Sequence, residues 1–221
     1  MSAAHDIEFY WDPICPFAWV TSRWVEKVAS QRNFSVDWRF LSLAILNEDR
    51  DYERDFPPGY PALHRKGRAM LRVAAAARDR GADIGTLYTA YGNSIWDRTP
   101  SSVGGMFDAI GTQAHLEAVL ERVGLDPSLA AAADDPGHDA VLRADTELAL
   151  RRAGRDLGTP VVVFQPPDGL SFFGPIISRI PNDSEALQLW DAVTLLGTWP
   201  GFAELKRTMR ETPQLTLFDR R

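Results

Sequence analysis

The stretch Asp12-Pro13-Ile14-Cys15-Pro16-Phe17-Ala18-Trp19 carries the only cysteine among 221 residues. It lies between an apolar run, Ile7 to Trp11, and a segment in which Phe17, Val20, Trp24, Val25 and Val28 recur at helical spacing. The run alternates imperfectly and is rich in aromatics, as a sheet strand is. Asp12-Pro13 ends it, because proline cannot extend a central ladder. Pro16 suits a first helical turn, where its missing N–H would have had no intrahelical partner. A cysteine at that junction faces unpaired backbone N–H groups and the positive end of the helix dipole, and both favour thiolate over thiol. A free cysteine of pKa ~8.5 is only a few per cent ionised at neutral pH, whereas one lowered to ~6 is roughly 90% ionised. The expectation is therefore a reactive Cys15, set against the alternative of a lone buried structural cysteine.

Working outward, the spacing predicts a helix from Pro16 to about Gln31, closed by Arg32-Asn33. Ser35-Val36-Asp37-Trp38-Arg39-Phe40-Leu41 alternates cleanly and predicts a second strand, continuing over Leu43 to Leu46. Strand, helix and strand make a right-handed βαβ unit with parallel strands. Both strands then end on one side of the sheet, which brings Leu46-Asn47-Glu48 to the side of Cys15. Asp49 to Pro61 is charged and proline-bearing and reads as a loop. Helices are predicted over Ala62 to Arg80, Ile84 to Ser94, Thr112 to Arg122, a short piece after Asp126-Pro127, and His138 to Ala153. Val161 to Phe164 and Leu170 to Phe173 flank the turn Gln165 to Gly169 and predict a hairpin. Helical segments over Asp183 to Leu196 and Phe202 to Met209 follow, and the tail from Glu211 has no clear periodicity. The expected fold is α/β, with a framework from 1–48 and 156–221 and an inserted helical subdomain over 49–155.

Composition narrows the function. Lys and Arg total 24 against 30 acidic residues, a formal charge of −6, which argues against a nucleic-acid partner. No stretch approaches ~18 consecutive apolar residues, so no membrane span is expected. Met-Ser-Ala-Ala-His-Asp enters the first strand without a basic region or an apolar signal core, and a cytoplasmic location is expected. One cysteine fits a reducing compartment and excludes a disulfide framework or a multi-cysteine zinc site. His5, His64, His115 and His138 lack ligand spacing and read as surface residues, so no metal is expected. Arg65, Lys66, Arg68, Arg72 and Arg78 read as a solvated helix face. No G-x-G-x-x-G, phosphate loop or flavin signature appears, so no tightly bound cofactor is expected.

The ordered set Asp12-Pro13…Cys15-Pro16, Thr21-Ser22-Arg23-Trp24, Ser42 to Glu48, Gly158-Thr159-Pro160, Phe172-Phe173-Gly174-Pro175, Ile180-Pro181, Leu189-Trp190-Asp191 and Glu204-Leu205-Lys206-Arg207 resembles the DsbA-like thioredoxin superfamily. Within it, the chain is most similar to the mycothiol-dependent reductases of actinobacteria, which include nitroreductases. The resemblance implies a thioredoxin-like fold with an inserted helical subdomain, and mycothiol or another small thiol as co-substrate. It also implies a cis Thr159-Pro160 peptide opposite the cysteine, leaving the Thr159 N–H and C=O to pair with an extended thiol or peptide. One departure matters. Relatives carry Cys-Pro-x-Cys, and Ala18 stands here at the second cysteine position. Ala18 is either natural or a substitution of the kind made to trap a mixed disulfide. No intramolecular disulfide can form, but Cys15 can still attack a disulfide or become a sulfenic acid. An outside thiol would then resolve the adduct, as in single-cysteine glutaredoxins.

The candidate nucleophile is Cys15, and the candidate substrate-binding residues are Pro16, Phe17, Thr159, Pro160, Asn47, Trp11 and Tyr60. Of Phe17 and Trp19, one packs into the core and the other forms a substrate wall, with Phe17 expected at the surface. Trp11 reads as core or wall, with the core reading ahead; Asn47 reads as a site residue or a loop cap. The expected function is a thiol–disulfide oxidoreductase, monomer or homodimer, that takes a small thiol and a disulfide or electrophilic substrate. Two alternatives stay open: a thiol-dependent transferase or isomerase like the kappa-class glutathione transferases, and a redox-inactive binding protein.

Overall fold

The computed structural model describes residues 5–99, 105, 107–208 and 211–218. β1 (Ile7–Trp11) lies inside a four-stranded sheet of order β2-β1-β3-β4. β2 (Val36–Phe40) runs parallel to it, as the crossover helix α1 (Pro16–Arg32) requires. β3 (Val161–Phe164) is antiparallel to β1, and β4 (Ser171–Phe173) completes the hairpin at the sheet edge. Every residue of β1 is buried because helices cover both faces of the sheet, which is why its alternation in sequence is imperfect. Ile7, Phe9 and Trp11 join the main core with Phe40, Val162 and Phe164. Tyr10 packs on the other face with Leu41, Val161, Val163 and Ala149.

Between β2 and β3 the chain is helical. α2 (Leu43–Leu46), α3 (Tyr52–Asp55), α4 (Tyr60–Asp79), α5 (Ile84–Ile95) and α6 (Gln113–Arg122) lead through two 3₁₀ segments, Pro127–Asp134 and Pro136–His138, to α7 (Asp139–Ala153). α7 supplies the second cover of the sheet. Its Asp145 is buried and accepts from the Phe40 amide at 3.3 Å and from the Arg39 and Arg78 guanidinium groups at 2.8 Å each. A buried carboxylate is tolerated there because three donors replace its water. α8 (Asp183–Thr198) starts on a reciprocal Asn182–Glu185 capping box and packs Trp190 on Trp24 of α1, ring centroids 5.4 Å apart. The Trp24 indole donates to the Ala186 carbonyl at 3.0 Å, so its polar end is satisfied while the ring is fully buried.

Several sequence expectations are corrected. Leu43–Leu46 is a helical turn, not a strand: Ser42 caps it, its hydroxyl accepting from the Ile45 amide at 3.4 Å. The expected loop contains α3 and the start of α4. Residues 202–208 form no helix, and Met209 lies outside the described residues. The basic residues of α4 are not one solvated face: Arg68 and Arg72 both pair with Asp139, and Lys66 donates to the Phe107 carbonyl at 2.7 Å. His64 and His115 are not surface residues. His64 is buried, and half-buried His115 accepts from the Gly111 amide at 3.1 Å, with burial holding its imidazole down at about 4.

Candidate active site

Cys15 is the N-cap of α1, with extended backbone (φ −92°, ψ 111°). Its amide donates to the Asp12 carbonyl at 3.1 Å, closing a tight turn at the end of β1. Its Sγ accepts from the Ala18 amide at 3.4 Å and donates to the Thr159 carbonyl at 3.5 Å. The Thr159–Pro160 peptide is cis, and both residues are buried. Cys15 itself is only 8% exposed. Burial pushes its thiol above the ordinary value. The Thr159 side chain and the Ala18 amide pull the other way, and the charge of Asp12 adds to the rise. The expected low pKa is thus corrected for the resting protein. The hydrogen bonds to the sulfur do not offset the loss of water around it.

Asp12 organises the turn from beneath. Fully buried, it accepts from the Ile14 amide at 3.1 Å and from the Leu43 amide at 2.8 Å, so it ties the cysteine turn to the start of α2. Burial raises its carboxyl to about 7 against the pull of those two amides. α4 passes close by at Gly67, where a Cβ would stand 2.6 Å from Asp12 Oδ1 and 2.7 Å from Ile14 Cγ1. The Pro13 carbonyl receives the Trp96 indole N–H at 3.1 Å.

The other candidates divide. Pro16 and Phe17 are half-buried on the first turn of α1, while Trp19 is buried beneath the Arg23 guanidinium, which sits 4.1 Å from its ring centroid. Trp11 is core and not a substrate wall. It is fully buried and stacks on Tyr88 of α5 at 4.0 Å. Asn47 caps α2 by donating to the Leu43 carbonyl at 2.8 Å. Tyr60 is 41% exposed and joins Phe56 and His64 in an aromatic cluster, in which the Tyr52 hydroxyl meets His64 Nδ1 at 2.9 Å. The structure therefore gathers Cys15, Thr159 and Pro160 around one sulfur, with Pro16 and Phe17 beside it. Asn47 and Tyr60 find their hydrogen-bond and ring partners elsewhere. Asp12, Gly67 and Trp96 were missed by the sequence reading. Only Asp12 carried a local signal, as the residue closing the strand. A separate cleft of about 430 Å³, lined by Glu26, Trp38, Asp83, Thr89 and Arg122 among others, includes none of the candidates. Among the described residues no group of three or more His, Cys, Asp or Glu could hold a metal ion.

This sheet, with a cysteine capping α1 and a helical block between β2 and β3, defines a thioredoxin-like protein of the DsbA-like type. Solved structures agree on the fold. A 2-hydroxychromene-2-carboxylate isomerase aligns with a TM-score of 0.56 at 15% identity, covering 86% of this chain and 95% of its own. A putative protein disulfide isomerase from Nitrosomonas europaea aligns at 0.52 and 12% identity, covering 84% and 97%. In sequence, the chain belongs to the Rv2466c-like family, described as mycothiol-dependent nitroreductase Rv2466c, whose model matches residues 14–207. It is also 30% identical over 210 residues to the uncharacterized protein Rv2286c of Mycobacterium tuberculosis (strain ATCC 25618 / H37Rv), covering 91% of this chain and 81% of that one.

Proposed function

We propose that the chain is a cytoplasmic thiol–disulfide oxidoreductase that works through a single nucleophilic cysteine, Cys15, with mycothiol or a similar small thiol as co-substrate. The observation that carries this reading is the placement of Sγ at the N-cap of α1, against the Thr159 carbonyl, in a member of a family described as mycothiol-dependent. In the proposed cycle Cys15 loses its proton and its thiolate attacks one sulfur of a disulfide. The S–S bond breaks, the other sulfur departs as a thiolate, and a mixed disulfide remains on Cys15. An outside thiolate then attacks the outer sulfur of that adduct and Cys15 leaves as a thiolate, so one turn exchanges one thiol into the disulfide and releases another; a second outside thiol attacking the released mixed disulfide completes the reduction. The second step must come from outside because residue 18 is alanine. Thr159, Pro160, Pro16 and Phe17 are the proposed substrate contacts, and the segment 49–155 is the proposed helical insert.

Intact-mass spectrometry tests this directly. Incubation with oxidised mycothiol should give a single adduct on Cys15 that excess reduced mycothiol removes, and Cys15→Ser should give none. If the unaltered protein forms no adduct, the reading fails. Ala18 also favours a second reading, a thiol-dependent isomerase or transferase that activates a bound thiol without becoming covalently attached to it. In that case turnover would survive in Cys15→Ser.

A further inference from the structure

Trp96, the C-cap of α5, is 1% exposed and makes two directed contacts. Its indole N–H donates to the Pro13 carbonyl at 3.1 Å, and its own carbonyl accepts from the Leu217 amide at 3.0 Å. The rings of Phe107 and Phe218 each lie 6.0 Å from its ring. Leu217 belongs to a stretch beyond the matched family span of 14–207, yet Leu215 and Leu217 are only 5% and 1% exposed. That stretch is anchored upstream as well. The Gln214 amide donates to the Ser178 carbonyl at 2.7 Å, and the Glu211 carboxylate accepts from the Ser178 hydroxyl at 2.6 Å and from Arg179 at 3.1 Å. The segment 211–218 thus bridges the loop after β4 to the end of α5.

We propose that Trp96 is a positioning residue for Cys15, and that the segment 211–218 acts through it as a strap that fixes the turn presenting the sulfur. This rests on reading Cys15 as the reacting group. The cysteine turn is closed by the Cys15 amide on the Asp12 carbonyl, and Pro13 is buried within it. A buried carbonyl needs a donor, and the indole supplies one from a ring that is itself held in place. Without it the Pro13–Ile14 peptide is held at one end only, by the Ile14 amide on Asp12 at 3.1 Å, and its buried carbonyl is left to turn toward water, which loosens the backbone leading into the N-cap. Tethering the Trp96 carbonyl to Leu217 fixes the donor from behind.

The test uses Trp96→Phe, which keeps a ring between Phe107 and Phe218 but loses the donor, and Leu217→Pro, which loses the N–H at the other end of the link. The readout is the rate of Cys15 alkylation by iodoacetamide across the pH range in which thiols ionise. Asp12 of the same turn and Tyr88 of α5, both in electrostatic reach of the thiol, are retained in both variants. Loosening the turn admits water to the sulfur. Each variant should therefore move the alkylation midpoint down towards the ordinary cysteine value and speed the reaction at neutral pH about fivefold. The double variant should match the singles, since both cut one path. An unchanged profile in Trp96→Phe overturns the proposal. Additive effects in the double variant, or no effect of Leu217→Pro, overturn the role of the strap; if Leu217→Pro does not fold, Trp96→Phe decides alone. Alkylation needs no mycothiol, so failure of the proposed enzyme activity would leave this readout intact.

Discussion

The Sγ of Cys15 donates to the carbonyl of Thr159 at 3.5 Å, a contact between residues 144 positions apart in sequence. Only the protonated thiol can make it; a thiolate would face the carbonyl oxygen with no hydrogen between them. The resting site is closed by this bond as well as by burial, and ionisation removes the bond.

The first expected outcome is a high alkylation midpoint. Because burial disfavours the charged form of Cys15, its reactivity in the unliganded protein should rise through a pH above the ~8.5 of a free cysteine. The rate of iodoacetamide modification against pH measures it, and a midpoint near 6 would contradict the closed geometry.

Asp12→Asn should separate charge from structure. The Asp12 carboxyl is raised by burial from 3.8 to about 7, so its contribution to stability is greatest at low pH, falls as pH rises past 3.8, and levels off above about 7. The asparagine lacks this titration, so its stability relative to the unaltered protein should improve by on the order of 2 kcal/mol from pH ~5 to ~8. Across that range it should also carry a constant loss of about 1–3 kcal/mol, because one of the Ile14 and Leu43 amides loses its acceptor. Urea unfolding at the two pH values checks both effects. The Cys15 midpoint should fall as well, since the Asp12 charge helps to raise it.

Gly67→Ala sets helix propensity against space. Alanine gains up to about 1 kcal/mol in an exposed helix interior. Here its Cβ would lie 2.6 Å from Asp12 Oδ1 and 2.7 Å from Ile14 Cγ1, so net destabilisation of about 1–3 kcal/mol is expected. Chemical denaturation gives the sign, and a stabilised variant would show that the turn yields readily.

The extent to which the sequence revealed this depended on how local each signal was. β1 and α1 were legible because strand-ending Asp12-Pro13 and helix-starting Pro16 fix the boundary within a few residues. Leu43–Leu46 was not: four apolar residues fit a strand or one helical turn, and the Ser42 cap decides. The burial of His64 could have been read, since His64, Gly67, Leu71 and Ala74 fall on one stripe of α4. The Trp96–Pro13 and Leu217–Trp96 contacts join segments far apart in the chain, and no periodicity announces them. Thr159 was placed by resemblance alone.

Ala18→Cys should add a resolving step. Residue 18 is fully buried and its amide already touches Cys15 Sγ, three residues away at the start of α1. Oxidation of the variant should remove two hydrogens in intact mass, and the mixed disulfide with mycothiol should become short-lived. A persistent adduct would show that the new thiol cannot reach the bond.

The burial of Cys15 also bears on regioselectivity. A mixed disulfide offers an incoming thiolate two sulfurs, and attack must come in line with the S–S bond. To strike the Cys15 sulfur, the attacker would have to approach through the ground occupied by Ala18 and Thr159, both buried. Whatever group arrives on Cys15 should therefore depart joined to the incoming thiol, and the enzyme sulfur should be returned unmodified, never exchanged from one partner to the next.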